Sequence, residues 1–202
     1  MVRFGSISVA LPGPQSGAGT FAETLLANIS QAAAQQRLAP DAAAAAGVRQ
    51  TLAAFRIANV PADLGSTGFA ATDASGQAVA CAMTLNAPFG AGRTVAGFTP
   101  AASQAGYATA FLTPVLAMDS GGQLALAAVG AGGPNGSAAV EYALLKLASG
   151  QPVLRPADLR ATGAEPFATV NLIGCQSVCV AIPDPAGHGA GAAANSPDTN
   201  SQ

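Results

Sequence analysis

Apolar positions recur along this chain with two different periods, and the change from one to the other divides it. In residues 20–36, Phe21, Leu25, Leu26 and Ile29 fall on one face of a helix, after a turn-forming stretch containing Pro12, Gly13, Pro14 and Gly17. A second, alanine-rich helix is predicted from a cap at Asp41 to about Ala58, with Pro61 closing it. Residues 59–65 then read as a short, polar, exposed linker that a cleavage reaction could reach.

Beyond the linker the period shortens. Residues 69–72 and 77–84 predict two strands joined through Ala74, Ser75 and Gly76, and residues 113–119 and 123–129 predict a second hairpin around Ser120, Gly121 and Gly122. Residues 88–107 between them read as loop. Val140, Leu144 and Leu147 mark a helix over 137–148, stopped by Gly150. A loop with Pro152, Pro156 and Pro166 leads to strand-like segments at 168–173 and 177–182. From Pro183 onward glycine, alanine and asparagine predict a disordered tail. Helices first, then hairpins, then a helix and more strands predict an α+β protein rather than alternating parallel units. Its expected divisions are 1–65, 66–182 and 183–202.

Half of the 202 residues are apolar, enough for a sizeable core, but only 9% are charged, so small and uncharged groups must cover much of the surface. Such a surface is prone to associate. The net charge is −2, and Lys146 is the single lysine beside seven scattered arginines, which argues against nucleic acid as a partner. No apolar run is long enough to span a bilayer, and residues 1–11 lack the pattern of a signal peptide. Cys81, Cys175 and Cys179 sit inside apolar runs, which predicts buried thiols rather than a disulfide framework. Cys175 and Cys179 lack the further ligands a zinc site needs, so neither metal nor cofactor is expected.

The candidate chemistry begins at Gly65-Ser66-Thr67-Gly68-Phe69. A serine or threonine hydroxyl is a weak nucleophile near neutral pH and needs a base. The one histidine, His188, lies in the glycine-rich tail, which leaves a Ser-His-Asp arrangement poorly supported. The other solution is the residue's own α-amino group, freed by scission of the preceding bond. Taken alone, Ser66 and Thr67 are an ordinary pair at the start of a strand, and Thr84 and Asn86 a strand residue and a turn residue. The turn Gly132-Gly133-Pro134-Asn135-Gly136-Ser137 precedes a helix, whose N-terminal amides suit an oxyanion. A dinucleotide fingerprint there fits poorly, because the third glycine is misplaced and no acidic residue lies where a ribose partner belongs.

In this order the motifs resemble the γ-glutamyltranspeptidase (γ-glutamyltransferase) family of N-terminal-nucleophile hydrolases. Asp73, Gly76, Thr84, Asn86, Phe89 and Gly90 fall in register with the start of the family's small subunit. Residues 12–29 resemble a proline-serine-glycine segment in the C-terminal half of its large subunit, and residues 174–178 its late Gln-Ser strand. The resemblance implies an incomplete αββα four-layer sandwich, autocleavage between Gly65 and Ser66, and Ser66 as nucleophile, with Thr67 as the neighbouring alternative. It implies that Thr84 hydrogen-bonds the nucleophile, that Asn86 holds the amino-acid end of a γ-glutamyl substrate such as glutathione, and that the Asn135 and Gly136 amides form the oxyanion hole.

The departures are equally specific. No carboxylate occurs between Asp73 and Asp119, where the family grips the substrate amino group. Ala110 and Phe111 stand where the family has a serine pair, and its terminal Asp-Pro-Arg pattern is absent near residues 189–194. Most of the large subunit, including the region carrying the arginine for the substrate carboxylate, has no counterpart. These departures imply a second expectation, a non-catalytic remnant that binds or assembles with a separate N-terminal half.

Overall fold

The structure is a computed structural model and describes residues 1–35, 37–60, 64–103, 107–151 and 168–193. It opens with two strands that the sequence reading missed, β1 (Val2–Phe4) and β2 (Ile7–Ala10), which pair antiparallel around Gly5. Both are too short for a period to register. Helices α1 (Gly17–Gln35) and α2 (Pro40–Ala54) follow. Then come the hairpin β3 (Ser66–Thr72) and β4 (Ala78–Thr84), the hairpin β5 (Pro114–Met118) and β6 (Leu124–Ala131), helix α3 (Pro134–Ala148), and strands β7 (Thr169–Cys175) and β8 (Cys179–Ile182).

Six strands form one antiparallel sheet in the order β1-β2-β5-β6-β7-β8, and β3 and β4 form a separate two-stranded sheet. Alternate residues of β6 point to opposite faces. Leu126 and Ala128 meet Val140, Ala143 and Leu144 of α3, whereas Ala127 joins Ile173 and Cys175 on the face that also receives Ala70 of β3. Among the described residues the layers are therefore helices, a six-stranded sheet and the β3–β4 hairpin. The α+β class stands. The outer face of the hairpin is uncovered, with Phe69, Val79 and Met83 each about half exposed (49%, 49% and 47%).

The inner face of the hairpin is built from small side chains so that it can lie close to β6. Gly68 marks the tightest point, because a Cβ there would run into the Val129 side chain. Both hairpins turn on the same device. Asp73 Oδ1 accepts from the Ser75 and Gln77 amides at 2.8 and 2.9 Å, and Asp119 Oδ1 does the same for Gly121 and Gln123. Gly76 and Gly122 supply the positive φ, 80° and 78°, that ends each turn.

Four expectations are corrected. Helix α2 takes Ala39 rather than Asp41 as its N-cap, with Pro40 in the first turn where no amide partner is required. It stops at Ala54, not near Ala58, because Arg56 adopts φ 55° and lets the Arg56 and Ile57 amides return to Ala53 and Leu52. The linker is not exposed throughout: Leu64 is 2% exposed and packs with Phe21, Leu25 and Phe111. Cys175 and Cys179 are joined by a disulfide across the β7–β8 pair, and only Cys81 remains a thiol. The expected closure at Pro61 and the loop with Pro152, Pro156 and Pro166 lie outside the described residues.

The segment expected to be a disordered tail begins as built structure. Asp184 is buried, accepts from the Val170 and Ala186 amides, and donates its own amide to Asn171 Oδ1 at 2.9 Å. Residues 194–202 lie outside the description.

Candidate functional site

The site is assembled where β3 begins, and strand parity decides which side chains enter it. Ser66 and Gly68 point toward the six-stranded sheet, while Thr67 and Phe69 point away and are exposed. Of the two expected nucleophiles, Ser66 is therefore the one the fold turns inward. Its Oγ accepts a hydrogen bond from the Gly132 amide at 3.0 Å, which joins the start of β3 to the glycine turn 66 residues further on.

Gly132 and Gly133 both have positive φ, 97° and 71°, a backbone path that favours glycine and leads directly into the first turn of α3. Gly136 packs against the Ala131 backbone and Gly130 against the Gly136 carbonyl so closely that side chains are excluded at both positions. The expected oxyanion donors, Asn135 and Gly136, are in the first turn of α3, where amides have no intrahelical acceptor and the helix dipole is positive. The amide that bonds Ser66 Oγ belongs to Gly132, which the sequence reading named as part of the turn without giving it a role. Consecutive glycines before a helix were the available signal.

Scission was expected at Gly65–Ser66, and the bond before Ser66 is held from the β4 side. Gly65 has φ 57°, and the Leu85 amide donates to its carbonyl oxygen at 2.9 Å. A Cβ at Gly65 would collide with the Ala87 carbonyl, so only glycine fits. Leu85 was also missed, because a backbone donor leaves no trace in side-chain identity.

Thr84 lies directly opposite Ser66 in the β3–β4 register. Its hydroxyl does not reach Ser66. It donates to the Leu64 carbonyl at 2.7 Å and accepts from the Asn86 amide at 2.9 Å. Asn86 adopts φ 61°, and its Nδ2 donates to the Ala102 carbonyl at 3.1 Å. Its Oδ1 is buried and has no hydrogen-bond partner among the described residues. A buried acceptor of this kind is costly unless a donor reaches it.

Behind the glycine turn, Thr113 donates to Ser137 Oγ at 2.8 Å, and Ser137 donates to the Phe111 carbonyl at 2.9 Å. These buried hydroxyls fix the first turn of α3 to the start of β5. Asn171 performs a similar task from β7, donating from Nδ2 to the Gly68 carbonyl at 3.1 Å and so tying β3 to the sheet. No group of three or more metal-ligating side chains occurs among the described residues, and no described helix is long and apolar enough to cross a membrane. Scanned against protein-family models and searched against curated proteins, the chain matches none.

Proposed function

We propose that the chain is a γ-glutamyltranspeptidase-like N-terminal-nucleophile hydrolase with Ser66 as its nucleophile. The observation that carries this reading is the 3.0 Å bond between Ser66 Oγ and the Gly132 amide, in the glycine turn that leads into α3. A hydroxyl at the start of a strand, preceded by a glycine and held against the turn that opens a helix, supports a nucleophile that its own freed amine could activate.

The uncut chain is read as the precursor. Ser66 Oγ attacks the Gly65 carbonyl carbon while the Leu85 amide stabilises the developing oxyanion, the Gly65–Ser66 C–N bond breaks, and an ester links Gly65 to Ser66 Oγ. Water hydrolyses that ester, leaving a carboxylate on Gly65 and a free amine on Ser66. The amine then takes the hydroxyl proton as Ser66 Oγ attacks a γ-glutamyl amide. The Asn135 and Gly136 amides in the first turn of α3 receive the negative charge, the leaving amine departs, and water or an acceptor amine releases the glutamyl group. The vacant Asn86 Oδ1 supports a role in accepting an N–H from the substrate's amino-acid end. The family's four-layer sandwich, with an N-terminal half supplying the remaining layer and the substrate-carboxylate arginine, belongs to this proposal.

Intact-mass and N-terminal analysis of the purified chain tests it. A new N-terminus at Ser66, lost in Ser66→Ala, together with γ-glutamyl-anilide turnover, supports the reading. A chain that stays uncut with or without an added N-terminal half, and turns over no γ-glutamyl anilide, removes it. A second reading, a non-catalytic assembly partner, draws support from the uncovered outer face of the β3–β4 hairpin and from Thr84 engaging Leu64 rather than Ser66. Binding of the N-terminal half without turnover favours that reading.

A further inference from the structure

We infer that the Cys175–Cys179 disulfide is an exchange site for small thiols, with Cys179 as the sulfur they attack. The inference is independent of the Ser66 reading and rests on where the bridge lies. It joins directly opposed residues of β7 and β8 only four positions apart, at the base of a three-residue turn. A disulfide stabilises chiefly by restricting the unfolded chain, and the restriction grows with the length of the closed loop, so this bridge is among the least useful a fold could carry for stability. β7 is already held by β6 along six register pairs and α3 covers the same sheet, so the fold has no evident need of it.

The two sulfurs differ in access. Cys175 is buried, packed with Ala127 and Ile173 and against Ala70 of β3. Cys179 is exposed and lines a cleft of about 770 Å³ between β3, β8 and residues 190–193. That volume suits a small-molecule ligand, roughly 300–1,000 Å³ being usual. Among the described residues its lining carries one charged side chain, Asp73, just past the end of β3, and is otherwise uncharged.

The chemistry balances with a thiol as sole co-reactant. A thiolate RS⁻ attacks Cys179 Sγ, the Cys175–Cys179 S–S bond breaks, and Cys175 leaves with the electron pair and takes a proton from water. A second thiolate attacks the mixed disulfide on Cys179, releasing RSSR and the Cys179 thiolate. Two thiols are oxidised and the protein bridge is reduced; RSSR reverses both steps.

The full chain carrying Cys81→Ser, equilibrated with reduced and oxidised glutathione, quenched with N-ethylmaleimide and mapped by peptide mass spectrometry, tests this. The expected result is a glutathione adduct confined to Cys179 and a doubly alkylated form whose population follows the glutathione ratio, with unchanged far-UV circular dichroism. Cys175→Ser should leave a Cys179 that glutathionylates readily, and Cys179→Ser a Cys175 that reacts at least tenfold more slowly. Where either variant fails to fold, the adduct position in the Cys81→Ser chain decides alone. A bridge that opens only in denaturant, or an adduct on Cys175, overturns the inference. Ser66→Ala should change none of these readouts, which separates this result from the proposed hydrolase activity.

Discussion

Ser66 and Thr67 differ by one methyl group in sequence and by a whole face of the sheet in the fold. The inward residue meets the Gly132 amide and the outward one meets solvent, so on the proposed function Ser66→Ala should abolish both chain scission and γ-glutamyl turnover, the latter by more than about a thousandfold. Thr67→Ala should leave both nearly unchanged, as N-terminal sequencing and an anilide assay will report. Glu141 presents a different single-residue problem. It lies fully buried on α3 with neither carboxyl oxygen hydrogen-bonded among the described residues, and burial raises its pKa well above the ordinary carboxylate value. Helical spacing places it on the face of α3 shared by Ala138 and Leu145, toward the cluster formed by α1 and α2. Because the folded pKa exceeds the unfolded one, the native state holds a proton that the unfolded chain has lost. Stability is therefore highest below the unfolded pKa and falls by about 1.4 kcal/mol per pH unit above it until the buried group ionises. Glu141→Gln should flatten that slope and leave the protein more stable than the wild type at pH 8 but not at pH 4, as urea midpoints at the two values will show.

The elements were legible where a periodic pattern or a turn signature was long enough to register. The face of α1 carrying Phe21, Leu25 and Ile29, and the repeated Asp-x-x-Gly-Gln turns at 73–77 and 119–123, could be read directly because each encodes its own local geometry. The end of α2 could not, since its left-handed residue is Arg56 where glycine is the usual signal, and the motif is closed by contacts of Leu52 and Ile57 with the core. Nor could the disulfide or the Asp184 anchor, which depend on β7 and β8 being brought side by side. The site divides the same way. Ser66, Thr84, Asn86 and the glycine turn stood out as residue types in order, whereas the Gly132 and Leu85 amides that bond the site are backbone groups and invisible to that reading. Two substitutions test the long-range half. Gly68→Ala forces a methyl into Val129 and should cost about 1–3 kcal/mol in denaturant unfolding and, on the proposed function, slow scission by lifting β3 from the glycine turn. Asp184→Ala strips acceptors from the Val170 and Ala186 amides and should cost about 2–4 kcal/mol, with amide exchange accelerating first in β7 and β8.

At the scale of the whole molecule the helices bury one face of the six-stranded sheet and the β3–β4 hairpin covers part of the other, which leaves the hairpin as the outermost layer. Its two strands alternate, with mostly small residues inward, yet the outward set is apolar apart from Thr67: Phe69 opposite Cys81, Val79 opposite Ala71, and Met83 opposite Thr67. The following loop adds exposed Phe89, Val95 and Phe98. An exposed sheet face normally carries polar residues at these positions, and with charged residues at 9% of the chain there is little nearby charge to oppose association. Burying a Phe or Met side chain contributes about 1.5–3 kcal/mol, so even a few such contacts favour self-association when nothing else covers the face. Sedimentation velocity over a hundredfold range of concentration should show the wild-type chain shifting to larger species, and Phe69→Lys with Met83→Lys should hold it as a monomer. Because both side chains point away from Ser66 and the core, the double variant should keep its unfolding midpoint and, on the proposed function, the scission between Gly65 and Ser66. If it still associates, the contact lies on another surface; if it unfolds, the outer face supports the hairpin itself.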